Sequence, residues 1–468
     1  MAEEILEEGF TKKHEMNGMF DGPILKVLVK IAFPIFLGMM FQLLYAIVDI
    51  IWISRIDLSD PSYVGGVGLI FPLLFFAVAV SSGVLIGVGS LVARSIGEKN
   101  QYVLDRIAES GFSITFLISV VIITLGYVFD EQILTILGAK NEYFIHALDY
   151  LHYIIPVAGL MIMGNVLLGI LLGEGLTSKV MIAMIITTVA NVILDPVFIF
   201  LLRMEVKGAG IATVISQVIT AIYLIRIFLR RKTIVRIEWN LSKTDFGIIK
   251  KIFSVGFPQT AGQMTMALSV LLFNRLVIGI DRLALTAFSI CSRFDQVLII
   301  PVMAIGSSMI TMIGQNFGRG NLSRVKEIWK TGVLMGMAVS ALLAMLLVIF
   351  APRIFPFFTK VDAVAGYAVL QMRVIEFSFV LASVAIVGRA SFQAIGRPIP
   401  GLIVAALQLA LVSIPVAYFL VFAMDMGMYG VWIGIITGNA LSSLIGFLWV
   451  RRVLNTFISG PALNPVYS

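Results

Sequence analysis

PIFLGMMFQLLYAIVDIIWIS (Pro34–Ser54) and KVMIAMIITTVANVILDPVFIFLL (Lys179–Leu202) decide the fold. Each matches the roughly 20 apolar residues that a helix needs to cross a bilayer. Each also holds one acid deep in the run, Asp49 in the first and Asp195 in the second. A lone carboxylate at membrane depth costs roughly 3 kcal/mol or more, so it marks a functional site by default. Two that can meet form a candidate proton or cation site.

The rest of the chain reads the same way. Hydrophobic residues make up 59% of the 468 residues and charged residues 13%, and the mean hydropathy is +1.01. Soluble domains carry about 25% charged residues. The chain is therefore an integral membrane protein rather than a large globular enzyme. Its apolar runs are continuous, not alternating, which argues against a β-barrel. The N-terminus is acidic and polar, unlike a cleavable signal. The single cysteine, Cys291, excludes an internal disulfide, and His14, His146 and His152 lack metal-ligand spacing. GGVGLIFP (Gly65–Pro72) opens an apolar helix and so is no phosphate loop. No Walker motif appears, so no cofactor and no direct use of ATP are expected.

Twelve spans are expected at about 28–53, 63–94, 107–127, 142–172, 178–202, 208–230, 250–279, 284–317, 328–350, 365–394, 399–423 and 428–452. Lys and Arg divide roughly 24 against 8 between the two sets of loops, which predicts both termini in the cytoplasm. The same asymmetry accounts for the net charge of +7 without nucleic acid. The expected organisation is a tail (1–27), an N-lobe (28–230), a cytoplasmic linker (231–249), a C-lobe (250–452) and a second tail (453–468).

The halves repeat. Phe33-Pro34 then Gly38 matches Phe257-Pro258 then Gly262. ARSIGEKN (Ala93–Asn100) matches GQNFGRGN (Gly314–Asn321), with Gly97 on Gly318 and Asn100 on Asn321. Asp195-Pro196-Val197 matches Ile414-Pro415-Val416, and Gly210-Ile211-Ala212 matches Gly430-Val431-Trp432. Six spans is an even number, so both repeats face the same way. The fold class is an all-α membrane protein of two six-helix lobes related by a pseudo-two-fold axis along the membrane normal, as in many secondary transporters.

Asn191 and Asp195 are four residues apart and share a helix face. Pro196 removes a donor and kinks the span. At about 1.5 Å per residue, Asp49, Asp195 and Thr213 lie ~8, ~12 and ~9 Å from the outer ends of their spans, in one layer. Tyr45, one turn before Asp49, is placed to donate to it. Burial and like charge both favour the protonated or ion-bound form of such a pair. Carboxylate, amide and hydroxyl oxygens suit a hard cation, so H⁺ and Na⁺ both fit at Asp49, Asn191, Asp195 and Thr213. The matching positions of the second half, about Phe273, Ala410, Ile414 and Ile433, are apolar. The reading is a function confined to the first half.

LLYAIVD (Leu43–Asp49), GILLGEG (Gly169–Gly175), NVILDP (Asn191–Pro196) and GAGIAT (Gly208–Thr213) resemble the multidrug and toxic compound extrusion (MATE) family, most closely its archaeal and DinF-type branch. The resemblance covers roughly residues 28–455. It implies a cation site at Asp49, Asn191, Asp195 and Thr213, and export of amphipathic or cationic drugs driven by H⁺ or Na⁺. Other branches place an acid in span seven, and this chain has none between Lys251 and Ile280. Leu168 and Leu172 stand where relatives can carry polar cavity residues. A flippase for lipids or lipid-linked oligosaccharides is the alternative within the superfamily. A membrane-embedded enzyme is disfavoured, because the loops lack a cluster of acids or histidines.

Other polar residues carry weaker expectations. Asn165 is a possible support of the first-half site. Arg293, Asp295, Arg373 and Glu376 are candidate cavity residues of the second half, with Arg373 and Glu376 spaced to form an ion pair. GVLIG (Gly83–Gly87), GILLG (Gly169–Gly173) and GVWIG (Gly430–Gly434) predict close helix packing. Met and Phe, 22 and 33 residues, supply an adaptable apolar core or pocket. The whole reads as a monomeric, multi-pass protein of a prokaryotic cytoplasmic membrane, surrounded by lipid and carrying small molecules.

Overall fold

A computed structural model describes residues 18–57, 60, 62–238 and 240–459. The described residues are helical or irregular, with no strand. The first half holds α1 (Ile24–Ser54), α2 (Ser62–Gly97), α3 (Gln101–Leu104), α4 (Ile107–Val128), α5 (Asp130–Ile136), α6 (Asn141–Gly173), α7 (Thr177–Pro196) and α8 (Glu205–Leu229). The second holds α9 (Phe246–Ile280), α10 (Arg282–Gly318), α11 (Leu322–Phe358), α12 (Asp362–Ile375), α13 (Ser378–Ala394), α14 (Ile399–Ala406), α15 (Ser413–Phe422) and α16 (Gly427–Ser459). Eleven described segments are helical, long and apolar enough to cross a membrane, and the bent pair α12–α13 makes twelve. The chain is an all-α, multi-pass membrane protein.

Two compact units emerge, Phe33–Thr260 and Ala261 onward together with the chain up to Ala32. The divisions fall inside α1 and α9, beside Pro34 and Pro258, the first pair of repeat markers.

The other repeat markers have a physical basis within each unit. α2 and α10 end at Gly97 and Gly318. Three residues later, Asn100 and Asn321 cap α3 and α11, their side chains accepting from the Val103 and Arg324 amides. Lys99 and Gly320 between them both take positive φ, 55° and 78°. The repeat therefore preserves a helix–turn–cap rather than a general apolar resemblance.

Small residues bring backbones together where expected. A β-carbon at Gly169 would stand 2.7 Å from the Leu85 carbonyl oxygen, and one at Gly173 2.6 Å from that of Gly89, so α6 can lie this close to α2 only with glycine there. Gly434 plays the same part in α16, against the Ser413 carbonyl at 2.7 Å.

Three differences from the sequence reading stand out. The turn before α1 belongs to the folded protein rather than to a loose tail. Met19 is buried, its carbonyl accepts from Asn316 Nδ2 at 3.2 Å, and Arg324 Nη2 donates to the Gly22 carbonyl at 2.6 Å. At the other end, α16 runs on past residue 452, with Leu454 buried and Phe457 against Phe317. Residues 1–17 and 460–468 of the expected tails lie outside the described residues.

Span ten is broken. α12 and α13 meet at 57° with neither Pro nor Gly at the joint. There Phe379 and Val380 donate to the Glu376 and Phe377 carbonyls, three residues back. This tighter turn redirects the axis.

The linker between the halves is strapped down. Glu174 Oε1 accepts from the Ile234 and Val235 amides, each at 2.8 Å, and Glu109 Oε1 from the Glu238 amide at 2.7 Å. Both glutamates are buried. Tyr102 donates to Asp245 at 2.7 Å, and that bond first of all holds the Asp245 carboxyl below its usual range.

Candidate ion-coupling site

Four elements of the first half build the site. α1 supplies Asp49 and, one turn earlier, Tyr45. α7 ends on Asn191-x-x-x-Asp195-Pro196 and passes directly into a single π turn, Val197–Leu201. Pro196 cannot donate to the Val192 carbonyl, and the wider turn that follows absorbs the defect. Such turns recur at functional sites. α8 supplies Thr213, and α6 supplies Tyr150.

Asp195 is fully buried, and Asp49, Asn191 and Thr213 are each under a tenth exposed. Asn191 Nδ2 donates to Thr213 Oγ1 at 3.2 Å, and Thr213 Oγ1 donates to the Ala209 carbonyl at 3.0 Å. The amide is thereby oriented with its oxygen free. Asp49 Oδ1, Asn191 Oδ1 and both oxygens of Asp195 have no hydrogen-bond partner among the described residues. Asp49 and Asp195 are near enough for their charges to interact. Buried polar atoms are ordinarily satisfied. Four orphaned acceptors gathered in one place fit a proton or a hard cation, which would satisfy them together. Among the described residues no group of three or more His, Cys, Asp or Glu forms a transition-metal site.

The structure thus brings together Asp49, Asn191, Asp195 and Thr213, beside Pro196. Tyr45 joins them, beside Thr213 and both carboxylates. Tyr150, buried on α6 beside both carboxylates, is a member that sequence reasoning missed. A tyrosine in an apolar run reads as core, and only the fold shows what it faces. Asn165 stands apart, ~22 Å along α6 from Tyr150 at the usual helical rise.

The second half corrects two expectations. The positions matching the first site are apolar, as read, with Phe273 and Ile414 in a packed cluster with Trp432. A buried acid, Glu376, and a half-buried one, Asp295, nevertheless occur in the second half. Asp295 on α10 and Glu376 at the α12–α13 joint lie side by side. Glu376 is fully buried, and both its oxygens and Asp295 Oδ1 lack partners. The expected Arg373–Glu376 ion pair does not form. The bend after Ile375 turns Glu376 inward, while Arg373 is exposed. Arg293 is exposed as well.

A sequence model of the MatE family matches residues 34–197 and again 258–419, each match starting at a repeat-marking proline. The multidrug export protein MepA of Staphylococcus saprophyticus is 26% identical over 448 residues, covering 95% of this chain and 94% of the relative. An outward-facing multidrug resistance MATE family transporter of the MOP superfamily superposes with TM-score 0.89 at 27% identity, covering 94% of this chain and 98% of the other. A MOP superfamily transporter from Pyrococcus furiosus, described by the reverse polarity of its binding pocket, gives TM-score 0.89 at 27% identity over 95% of this chain and 99% of its own. With its twelve spans and doubled match, the chain belongs to the MatE family and is a membrane transporter, not an enzyme.

Proposed function

We propose that this chain is an antiporter that exports amphipathic, cationic small molecules, driven by H⁺ or Na⁺ captured at Asp49, Asn191, Asp195 and Thr213. The observation that carries this reading is the set of orphaned acceptor oxygens on Asp49, Asn191 and Asp195, buried and without a hydrogen-bond partner among the described residues. Leaving two charges unpaired in a dry site is costly, so the site is stable only with an ion or proton aboard. The π turn after Pro196 gives α7 a deformable segment next to that charge. Occupancy and helix shape are thereby coupled, which is what alternating access requires. The multidrug export role in the names of the Staphylococcus relatives supports the direction and small-molecule drugs as cargo.

The proposal includes two six-span lobes, 28–230 and 250–452, with both termini in the cytoplasm of a prokaryote and a monomer as the working unit. Arg293 and Arg373, both exposed, are the candidate substrate contacts of the second half. Asp295 and Glu376 hold one proton between them.

The test is counterflow in proteoliposomes loaded with ethidium, with a pH or Na⁺ gradient imposed in separate runs. One gradient drives dye movement, and Asp195→Asn removes the drive while dye binding persists. Dye movement that ignores both gradients, or that survives Asp195→Asn unchanged, overturns the assignment.

A further inference from the structure

We propose that the cleft where α8 meets the linker is a binding site for an anionic phospholipid. The cavity measures about 400 Å³. One wall is the last turn of α8, with Ile225, Phe228 and Leu229, and Ile237 of the linker adds to it. Arg231 and Arg236 line it as well.

Both arginines are exposed and make no hydrogen bond or ion pair with any described residue. They are available cations at the end of a membrane span, beside an apolar wall. That combination fits one kind of molecule, an acyl chain carrying a phosphate head. Phosphate is the group that guanidinium grips bidentately. The one acid in the lining, Glu238, is engaged by Lys243 at 2.6 Å and so does not oppose it.

The cleft is also held in shape. Ile234, Val235 and Glu238 are fixed through their amides by Glu174 and Glu109. The arginines therefore project from a linker that is already ordered, and little loop entropy is lost on binding. Arg230 and Lys232 flank Arg231 and raise the local potential further. This site stands apart from the ion site and does not depend on the coupling mechanism.

The test uses protein reconstituted in equimolar phosphatidylglycerol and phosphatidylcholine, extracted in mild detergent, with the retained lipid counted by native mass spectrometry. The wild type retains phosphatidylglycerol preferentially. A juxtamembrane arginine contributes on the order of fivefold in affinity, so Arg231→Gln and Arg236→Gln together lower retention about thirtyfold, and each alone about fivefold. Lys250→Gln with Lys251→Gln removes the same charge outside the cleft and changes retention less than about threefold. Three results overturn the proposal. One is unchanged phosphatidylglycerol retention in the double arginine variant. Another is an equal loss in the lysine variant, which would mean a diffuse surface charge. The last is full displacement by inorganic phosphate with no lipid preference, which would mean a free phosphate site.

Discussion

The two halves solve the problem of buried acid differently. In the first, Asp49 and Asp195 are accompanied by the orphaned Asn191 carbonyl, the Thr213 hydroxyl and two tyrosines, so the neighbourhood is rich in oxygen. In the second, Asp295 and Glu376 sit near Cys291, whose thiol is turned toward the Ala368 carbonyl. Gln371 Nε2, five residues before Glu376, is an orphaned donor. The first environment offers several oxygens that could stand in for a hydration shell, and the second offers fewer. On the proposed reading, a duplicated fold has kept its turns and caps while its carboxylates diverged into an exchange site and a fixture.

The sharpest way to break this contrast is to neutralise the first pair. Asp195→Asn or Asp49→Asn removes a charge that is worth about 2.3 kcal/mol per 100 mV of membrane potential, or about a fiftyfold substrate gradient. Ethidium accumulation ratios in proteoliposomes held at a clamped potential should fall by that order. A variant that keeps the wild-type ratio would move the coupling elsewhere, and the second pair would be the next place to look.

How much of this could be read in advance depended on isolation. Asp49 and Asp195 are legible because nothing else charged lies in the interior of their runs, and Asn191 follows from its spacing. Glu376 was not, because Arg373 three residues earlier offered a ready partner. The break that separates them carries no Pro or Gly to announce it. Asp295, likewise, had a charged neighbour in Arg293, and its true partner lies on another span. Helix contacts were legible where glycines recur every four residues, since backbone approach depends on the side chain being absent.

Those contacts give the next effect in size. Gly169→Ala in α6 places a methyl 2.7 Å from the Leu85 carbonyl, a backbone atom that cannot move aside. Overpacking of this kind costs about 1–3 kcal/mol. Gly388→Ala in the second half meets only Val450 Cγ2 at 3.6 Å and should be near neutral. Thermal unfolding in detergent, followed by tryptophan fluorescence, separates the two. Equal melting temperatures would mean that α6 and α2 can slide apart at little cost.

Smaller still, and alike in both halves, are the caps. Asn100→Ala and Asn321→Ala each remove an acceptor from a helix N-terminus, at about 1 kcal/mol. Matching losses in the same unfolding assay would support common descent of the two turns. A large inequality would show that one cap has been taken over by its surroundings, with Asn321 the candidate because it also accepts from Ser323 at 3.2 Å.

The smallest expected effect is the most discriminating. If Asp295 and Glu376 share a proton that stays through the transport cycle, then Glu376 is a neutral donor facing a carboxylate. Glutamine reproduces that state, since its amide can donate to Asp295 and its carbonyl takes the place of the other oxygen. Glu376→Gln should therefore lower driven ethidium transport by less than about threefold and leave its pH dependence in place. Glu376→Ala, which strips the donor and leaves half-buried Asp295 without a partner, should do far worse, because an unpartnered charge whose oxygen is shut off from water is a costly defect. The comparison fails if Glu376→Gln abolishes coupling as thoroughly as Asp195→Asn. The second proton would then enter and leave with each cycle, and the two halves would be two exchange sites rather than one.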